Sequence, residues 1–184
     1  MHEHRFHGDI ARLRSPERLA WLEVDRVMEL SLQDENIRRV LDVGTGSGIF
    51  AEAFAKAGLE VEGLDANPEM LAAAGNLVPG VRFQAGTAES LPYPDAAFDL
   101  VFMGLLFHET DDRPKAMQEA ARVARQRVAA LEWPYEEQAI GPGLDERLTE
   151  QQMKELAAQA ELSVVHIFRL QALVLYILEK ETRN

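Results

Sequence analysis

The pattern of apolar and polar positions predicts strands alternating with helices along most of the chain. Strand-like apolar runs occur at 40–43, 59–64, 81–84, 98–103 and 125–132. Between them, apolar residues recur every three to four positions, as they do on a helix face that packs against a core. The run at 98–103 is apolar almost throughout, which is typical of a central parallel strand covered on both faces. The pattern therefore predicts an α/β fold.

Capping residues mark where the predicted helices begin. Ser15 followed by Pro16 predicts a helix start, and Asn67, Asp112 and Thr149 predict three more. Residues at helical spacing after Ser15 predict that the first helix continues to about residue 32. Its apolar positions are Trp21, Leu22, Val24, Met28, Leu30 and Leu32. We interpret them as a face that packs on the core; the alternative makes Trp21 part of a lid over a substrate.

The C-terminal part predicts a hairpin. The segments 162–170 and 173–179 are strand-like and are separated by only two residues. Because this is too short for a crossover connection, the two strands are expected to be antiparallel. The segment 134–148 contains Gly141, Pro142 and Gly143 and predicts a loop of a length that is usually functional or mobile.

A glycine-rich stretch from Arg38 to Gly58 dominates the sequence. A short apolar strand leads into Gly44-Thr45-Gly46-Ser47-Gly48, and a helical pattern follows directly. Such a turn lets a ligand approach the backbone, and the helix start behind it offers unpaired N–H groups. The next strand ends in Asp65, 17 residues after Gly48. An acid near this spacing binds ribose hydroxyls in nucleotide-binding folds, so the stretch predicts a nucleoside site.

The glycine spacing then separates two kinds of cofactor. The stretch has the form D-x-G-x-G-x-G beginning at Asp42, and Ile49 stands where a dinucleotide-binding turn needs its third glycine. The segments VLDVGTGSG, GLDANPEML, GTAESLPYPDAAFDLVFM and FHETDDR follow one another over residues 38–132. In these motifs the sequence resembles the class I S-adenosylmethionine-dependent methyltransferases of the type 11 group. The resemblance implies a Rossmann-like, doubly wound, mainly parallel seven-stranded sheet with a C-terminal antiparallel hairpin and helices on both faces.

The resemblance also implies which residues contact S-adenosylmethionine. Asp65 is expected to hold both ribose hydroxyls, and the segment around Thr87 is expected to contact the adenine. Many relatives carry Asp where this chain has Thr87, so backbone groups or Glu89 would have to replace that side chain. The predicted cofactor residues are Asp42, Gly44, Thr45, Gly46, Gly48, Asp65, Ala66, Asn67, Met70, Thr87, Ala88, Glu89, Met103 and Gly104.

Polar residues at the ends of the fourth and fifth strands predict where the methyl acceptor lies. Ligands of open α/β sheets bind at the carboxyl ends of the strands. His108 is our candidate for a catalytic base, and Glu132 is the second candidate. The alternative is that such residues only bind the amino-acid part of the cofactor. We expect one enclosed cavity bordered by Phe6, Trp21, His108 and Trp133, closed by movement of the N-terminal arm or the 134–148 loop.

Composition limits the classes of function. The 184 residues predict one domain, with an N-terminal arm and helix (1–33), a cofactor-binding core (38–132), the loop 134–148 and a C-terminal helix and hairpin (149–180). The chain has no cysteine and a formal net charge of −12, so thiolate chemistry is excluded and a nucleic-acid partner is not expected. His2, His4 and His7 are not interpreted as a metal site. No segment predicts a membrane span, and a cytoplasmic location is expected.

The function predicted from the sequence is methyl transfer from S-adenosylmethionine to a small molecule. One alternative is a nicotinamide-dependent reductase on the same kind of sheet. The position of Gly48 and the lack of a Tyr-x-x-x-Lys arrangement are unfavourable to it. The other alternative is a binding subunit without catalysis.

Overall fold

The computed structural model describes residues 13–33 and 36–180. Seven strands form one sheet in the order β3-β2-β1-β4-β5-β7-β6. Strands β1 to β5 pair in parallel, whereas β7 is antiparallel to both β5 and β6. This confirms the predicted mainly parallel sheet with its C-terminal antiparallel hairpin.

The elements follow the order that the apolar pattern predicts. The strands are β1 (Arg39–Val43), β2 (Glu60–Asp65), β3 (Arg82–Ala85), β4 (Phe98–Gly104), β5 (Ala124–Glu132), β6 (Leu162–Arg169) and β7 (Val174–Lys180). The described helices are α1 (Pro16–Leu22), α2 (Val24–Leu32), α3 (Ile49–Lys56), α4 (Pro68–Leu77), α5 (Arg113–Val123) and α6 (Glu150–Gln159), with one 3₁₀ turn at Phe107–Glu109.

Helices cover both faces of the sheet. Apolar side chains of α1, α2 and α3 pack on one face, and those of α5 and α6 pack on the other. The central strand β4 is buried along its length except at Gly104, as its apolar run predicts. Burial of so much apolar surface is the main force that stabilises this arrangement.

The predicted caps form the hydrogen bonds that helix starts require. The side chains of Ser15, Asn67 and Asp112 accept from backbone N–H groups in the first turns of α1, α4 and α5. Thr149 and Gln152 form a reciprocal capping box at the start of α6.

The single N-terminal helix was a wrong prediction. The helix is interrupted at Glu23, whose backbone is left-handed (φ 48°), so α1 and α2 are two separate helices. The side chain of Glu23 accepts a hydrogen bond from the backbone N–H of Gln171, which lies in the turn between β6 and β7. Leu22 of α1 and Val27 of α2 are the buried apolar residues of the two helices, whereas Trp21 is partly exposed.

The direction of strand order reverses between β1 and β4. From β1 the chain proceeds to β2 and β3 on one side, and from β4 to β5 on the other. The carboxyl ends of these two neighbouring strands flank the crevice in which open α/β sheets bind ligands. Among the described residues, no helix is long and apolar enough to cross a membrane.

Candidate active site

The glycine loop, residues 44–48, connects the end of β1 to α3. The backbone N–H groups of Gly44 and Thr45 both donate to the carbonyl oxygen of Leu64 (2.8 and 3.0 Å), which fixes the loop against β2. Gly46 has φ +53°, and a Cβ built on it would meet no protein atom within 4 Å. A Cβ on Gly48, at φ +78°, would lie 3.0 Å from the side chain of Val78. Gly46 therefore faces open space, whereas the lack of a side chain at Gly48 lets Val78 pack closely against the loop.

Asp42 holds the loop from within the protein. Its Oδ2 accepts from Thr45 Oγ1 (2.7 Å) and from the backbone N–H of Ala51 (3.1 Å), and the residue is 2% exposed. Burial is the largest influence and raises the pKa of Asp42 to about 7, and the charge of Asp65 adds to this. The two hydrogen bonds act in the opposite direction. Asp42 therefore stabilises the glycine loop through these two hydrogen bonds. Its burial does not indicate a direct contact with a ligand.

Asp65 ends β2 beside the glycine loop. Its Oδ2 accepts from the backbone N–H of Gly46 (2.7 Å), and its Oδ1 accepts from the backbone N–H of Asn67 (2.8 Å). A carboxylate offers about four lone-pair sites, so each oxygen retains capacity for another donor. Ala66 is exposed, whereas Met70 is buried in α4.

An arginine that the sequence did not single out also contacts the loop. Arg14 donates from one guanidinium nitrogen to the backbone carbonyl of Ser47 (2.6 Å) and forms an ion pair with Glu52 of α3 through the other. The hydroxyl of Ser47 is buried and has no hydrogen-bond partner in the protein. Arg14 therefore joins the segment before α1 to the glycine loop.

The 86–90 segment follows β3 and contacts the end of the neighbouring strand β2. The backbone N–H of Gly86 donates to the carbonyl of Asp65 (3.1 Å). Thr87 is exposed, Ala88 is buried and Glu89 is intermediate. The carboxylate of Glu119 receives the N–H of Leu91 (2.9 Å). An acid on α5 thus fixes the end of this segment, which nothing in the local sequence indicated.

The end of β4 carries a strained residue. Leu105 has φ 55°, and its N–H donates to the carbonyl of Leu131 (2.7 Å). Positive φ is unusual for a bulky side chain and is often found at functional sites. The side chain of Met103 is completely buried in the core, so only its backbone could contact a ligand. Gly104 is partly exposed beside it.

His108 and Glu132 form a pair. His108 Nδ1 lies 3.4 Å from Glu132 Oε2, and Glu132 Oε1 accepts from the backbone N–H of Phe107 (2.7 Å). Burial lowers the pKa of His108, but the hydrogen bond and charge of Glu132, with the charges of Glu109 and Glu146, outweigh it and leave that pKa raised. Glu132 is 3% exposed and contacts both the turn and its histidine. The structure thus brings the two candidate bases, His108 and Glu132, together at one place.

The 134–148 loop is built around a buried arginine. Arg147 is 5% exposed and donates to the backbone carbonyls of Pro134, Glu136 and Pro142 (3.1, 2.6 and 3.0 Å). Its guanidinium also lies 5.2 Å from the ring centroid of Trp133. These bonds close the loop on itself. Movement of this loop stays a prediction, and its contacts favour a fixed wall.

A second arginine connects that loop to the turn that carries His108. Arg113, at the start of α5, donates to the carbonyls of Phe107 (2.8 Å) and Glu146 (2.6 Å). The sequence offered one signal for it, since Arg113 ends the FHETDDR segment. Two elements distant in sequence thus meet at the carboxyl edge of the sheet.

The enclosed cavity expected between Phe6, Trp21, His108 and Trp133 stays a prediction, and the structure describes three of these four residues. The rings of Trp21 and Trp133 lie 5.0 Å apart. Trp133 packs in the apolar cluster of the α1–α3 face, whereas Phe107 beside His108 packs on the other face. Phe6 lies outside the described residues.

Known proteins are similar to this chain in sequence and in fold. Residues 41–130 match a family model described as a methyltransferase domain. A solved S-adenosylmethionine-dependent methyltransferase from Aquifex aeolicus superposes with a TM-score of 0.81 at 26% identity, over 92% of this chain and 95% of that one. Residues 41–130 therefore carry a methyltransferase domain of the type 11 group, and the chain has the fold of the class I S-adenosylmethionine-dependent methyltransferases.

Curated relatives match this chain over its core. An uncharacterised methyltransferase of Bacillus subtilis is 45% identical over 93 residues, which is 48% of this chain and 37% of the relative. A demethylmenaquinone methyltransferase of Chlorobaculum tepidum is 38% identical over 95 residues, 51% of this chain and 39% of that protein. The match thus spans about two fifths of the length of these relatives.

The residues of this site fit S-adenosylmethionine, the cofactor of that methyltransferase family. Because Gly46 has no side chain, the space that a Cβ would fill is open beside its backbone. Asp65 retains lone pairs next to it, and Ser47 places a buried hydroxyl without a protein partner in the same loop. Among the described residues, no group of three or more His, Asp or Glu could hold a metal ion. His2, His4 and His7 lie outside the described residues.

Proposed function

We propose that this protein transfers a methyl group from S-adenosylmethionine to a small-molecule acceptor. The observation that carries the proposal is the placement of Asp65 and His108 along one sheet edge. Asp65 follows β2 beside the glycine loop, and His108 follows β4, which pairs with β1. One side of this crevice would hold a nucleoside, and the other would offer His108 as a base to the acceptor.

The proposed cofactor site follows the ends of β1, β2 and β3. Asp65 would receive the ribose hydroxyls with the lone pairs that its backbone contacts leave open. The backbone at Gly46 would approach the cofactor, and Thr87, Ala88 and Glu89 would border the adenine. Asn67 and Ala66 would cover the ribose from the start of α4. Asp42 would act indirectly, by supporting the loop.

The proposed chemistry depends on position more than on chemical activation. S-adenosylmethionine supplies a methyl group on a sulfonium, which is already a strong electrophile. The protein therefore has to orient the acceptor in line and exclude water, and such positioning can contribute roughly 7–11 kcal/mol. His108, oriented by Glu132, would accept a proton from the acceptor, which typically adds about 10²–10⁴-fold in rate.

Charge and enclosure support a small acceptor. The net charge of −12 disfavours polyanionic substrates such as nucleic acids. Beside His108, the 134–148 loop is closed by Arg147 and joined to the turn by Arg113. These contacts would make this side of the crevice a short, fixed wall, which suits an acceptor that fits within a pocket rather than a flat macromolecular surface.

The test is an incubation with methyl-labelled S-adenosylmethionine and either a small-metabolite extract or purified RNA, DNA and protein. Label in small molecules is expected, and label only in macromolecules would reject the small acceptor. Isothermal titration with S-adenosylhomocysteine and with NADH tests the two alternatives. Binding of NADH alone would indicate a reductase. Binding of S-adenosylhomocysteine with no transfer to any fraction would indicate a binding subunit.

A further inference from the structure

We propose that the acceptor atom is the oxygen of an uncharged hydroxyl group, of phenol or enol type, and that the product is a methyl ether. This inference rests on the proposed methyl transfer and names its substrate class. It is carried by the arrangement around His108: a histidine held by one carboxylate, faced by two others, with the nearby arginines occupied by backbone carbonyls.

The first step concerns which ring nitrogen of His108 is available. Glu132 receives the N–H of Phe107 on Oε1 and places Oε2 3.4 Å from His108 Nδ1. The carboxylate oxygen nearest to Nε2, Glu109 Oε1, lies 3.7 Å away, beyond hydrogen-bond distance, so only Nδ1 has a hydrogen-bonded carboxylate. This arrangement favours the proton on Nδ1, and Nε2 is then the nitrogen that accepts a proton. A protein that methylates a carboxylate needs no such base, because that acceptor carries no proton at neutral pH. A histidine held in one tautomer therefore indicates an acceptor that loses a proton.

The second step concerns charge. The groups that face His108 are Glu132 from β5, Glu109 from its own turn, with Oε1 3.7 Å from Nε2, and Glu146 from the 134–148 loop. Arg113 from α5 lies in the same region, but its guanidinium donates to two backbone carbonyls. Donation to neutral carbonyls does not remove the charge of Arg113, but the three carboxylates outnumber it, so an anionic acceptor would meet an excess of negative charge. A neutral hydroxyl does not carry this electrostatic penalty.

The third step separates a hydroxyl from an amine. An aliphatic amine has a pKa near 10 in water, and neighbouring carboxylates strengthen its hold on the proton. Its lone pair would then be blocked, and an imidazole is too weak a base to release it. A phenol or enol is neutral at the same pH and can attack while His108 takes its proton.

The proposed step is balanced without a further reactant. The hydroxyl oxygen forms a bond to the methyl carbon as its proton moves to His108 Nε2. The bond between that carbon and sulfur breaks, and its electron pair stays on sulfur. The products are a methyl ether, S-adenosylhomocysteine and a protonated His108, which returns its proton to solvent.

The chemistry of the product tests the inference, even when the acceptor is not known in advance. The full-length protein is incubated with methyl-labelled S-adenosylmethionine and a small-metabolite extract, and the labelled small molecules are divided in two. We expect label that mild alkali does not release and that hot hydriodic acid releases as methyl iodide, as for an ether. Alkali-labile label indicates an ester, and label on nitrogen or carbon resists that release; any of these overturns the inference while leaving the proposed methyl transfer intact. Label only in macromolecules, or no label, overturns both.

Variants test the role of the histidine itself. His108→Gln should lower the rate of ether formation by about 10²- to 10⁴-fold and leave S-adenosylhomocysteine binding within about twofold. The matched control is His166→Gln, because His166 stacks on Phe168 of β6 instead. Equal rates in wild type and His108→Gln would overturn the inference.

Glu132→Gln tests the positioning role with a readout that folding alone does not move. Its loss of charge should lower the pKa of His108 in a ¹⁵N-histidine titration and should shift the pH profile of the rate in the same direction. The His108 signals are assigned by their absence in His108→Gln. An unchanged histidine titration in a folded Glu132→Gln protein would show that Glu132 does not position the base.

Discussion

Asp65 carries two backbone hydrogen bonds at the edge of the proposed cofactor site. Gly46 and Asn67 each donate to a different oxygen of its carboxylate (2.7 and 2.8 Å), so the carboxylate is fixed before any ligand binds. A fixed acceptor loses little conformational entropy on binding, which makes each ribose hydrogen bond more effective.

Replacing Asp65 with Ala should weaken S-adenosylhomocysteine binding by tenfold or more. A hydrogen bond to a charged group contributes about 1.5–3 kcal/mol, and the variant also releases the N–H of Gly46. Isothermal titration measures the effect, with Glu60→Ala as the control, because Glu60 lies at the opposite end of β2. A folded Asp65→Ala protein with an unchanged dissociation constant would reject the ribose assignment.

The open side of Gly46 gives a second prediction at the residue scale. Gly46→Val should abolish cofactor binding, because its side chain would occupy the space into which the proposed cofactor fits. Gly58 is the matched control: it also has positive φ (+87°) and no protein atom within 4 Å of a built Cβ, but it lies after α3. Gly58→Val therefore carries a similar backbone strain without the collision.

Circular dichroism and isothermal titration separate these effects. Both valine variants should keep the secondary structure of the wild type, and only Gly46→Val should lose S-adenosylhomocysteine binding. If the two variants bind equally, the assignment of the glycine loop is wrong.

Individual elements were predictable where one local signal decided them. Asn67 and Thr149 form caps because a side-chain oxygen reaches an N–H two or three residues on, which sequence spacing alone determines. The break at Glu23 was not predictable in this way. Left-handed backbone is usually marked by glycine or asparagine, and this position is a glutamate. The side chain of Glu23 is held by a hydrogen bond from the backbone N–H of Gln171, which is distant in sequence.

The candidate site shows the same division. The glycine loop and Asp65 are marked by a local pattern of glycines and by strand length. The pairing of His108 with Glu132 depends on β4 lying next to β5, and the sequence alone offered the two residues only as separate candidates. Arg147 was missed because its partners are backbone carbonyls, which no residue type identifies.

At the level of elements, Arg14 connects the N-terminal segment to the glycine loop. Arg14→Ala should weaken S-adenosylhomocysteine binding by about three- to tenfold, because it removes a charged hydrogen bond to the carbonyl of Ser47. Lys56 provides a matched control, since it pairs with the same Glu52 (2.6 Å) but is exposed. Lys56→Ala should bind as the wild type does.

Isothermal titration of the two variants, together with their melting temperatures, decides the point. If both lose affinity equally, the effect comes from Glu52 and not from the loop. A loss of stability in Arg14→Ala without any loss of affinity would restrict Arg14 to a structural role.

For the whole molecule, Asp42 links stability to pH. Its pKa is about 7 in the folded protein because of burial, against 3.8 for the free side chain. Between these values the folded state holds a proton that the unfolded state does not. The free energy of unfolding should therefore decrease as pH rises through this window, by at most about 1.4 kcal/mol per pH unit from this group. Below and above the window, Asp42 contributes no further slope.

The variant Asp42→Asn should remove this contribution while keeping the local structure. Thr45 and Ala51 both donate to Oδ2, so one amide oxygen can receive both bonds and the amide resembles the protonated acid. Urea unfolding at several pH values between about 5 and 8 should show the variant gaining stability over the wild type as pH rises. Asp25→Asn, at an exposed position in the first turn of α2, corrects for the change in net charge. Parallel pH profiles for wild type and Asp42→Asn would mean that Asp42 is ionised throughout this range in the folded protein, and the glycine loop would then rest on a buried charge.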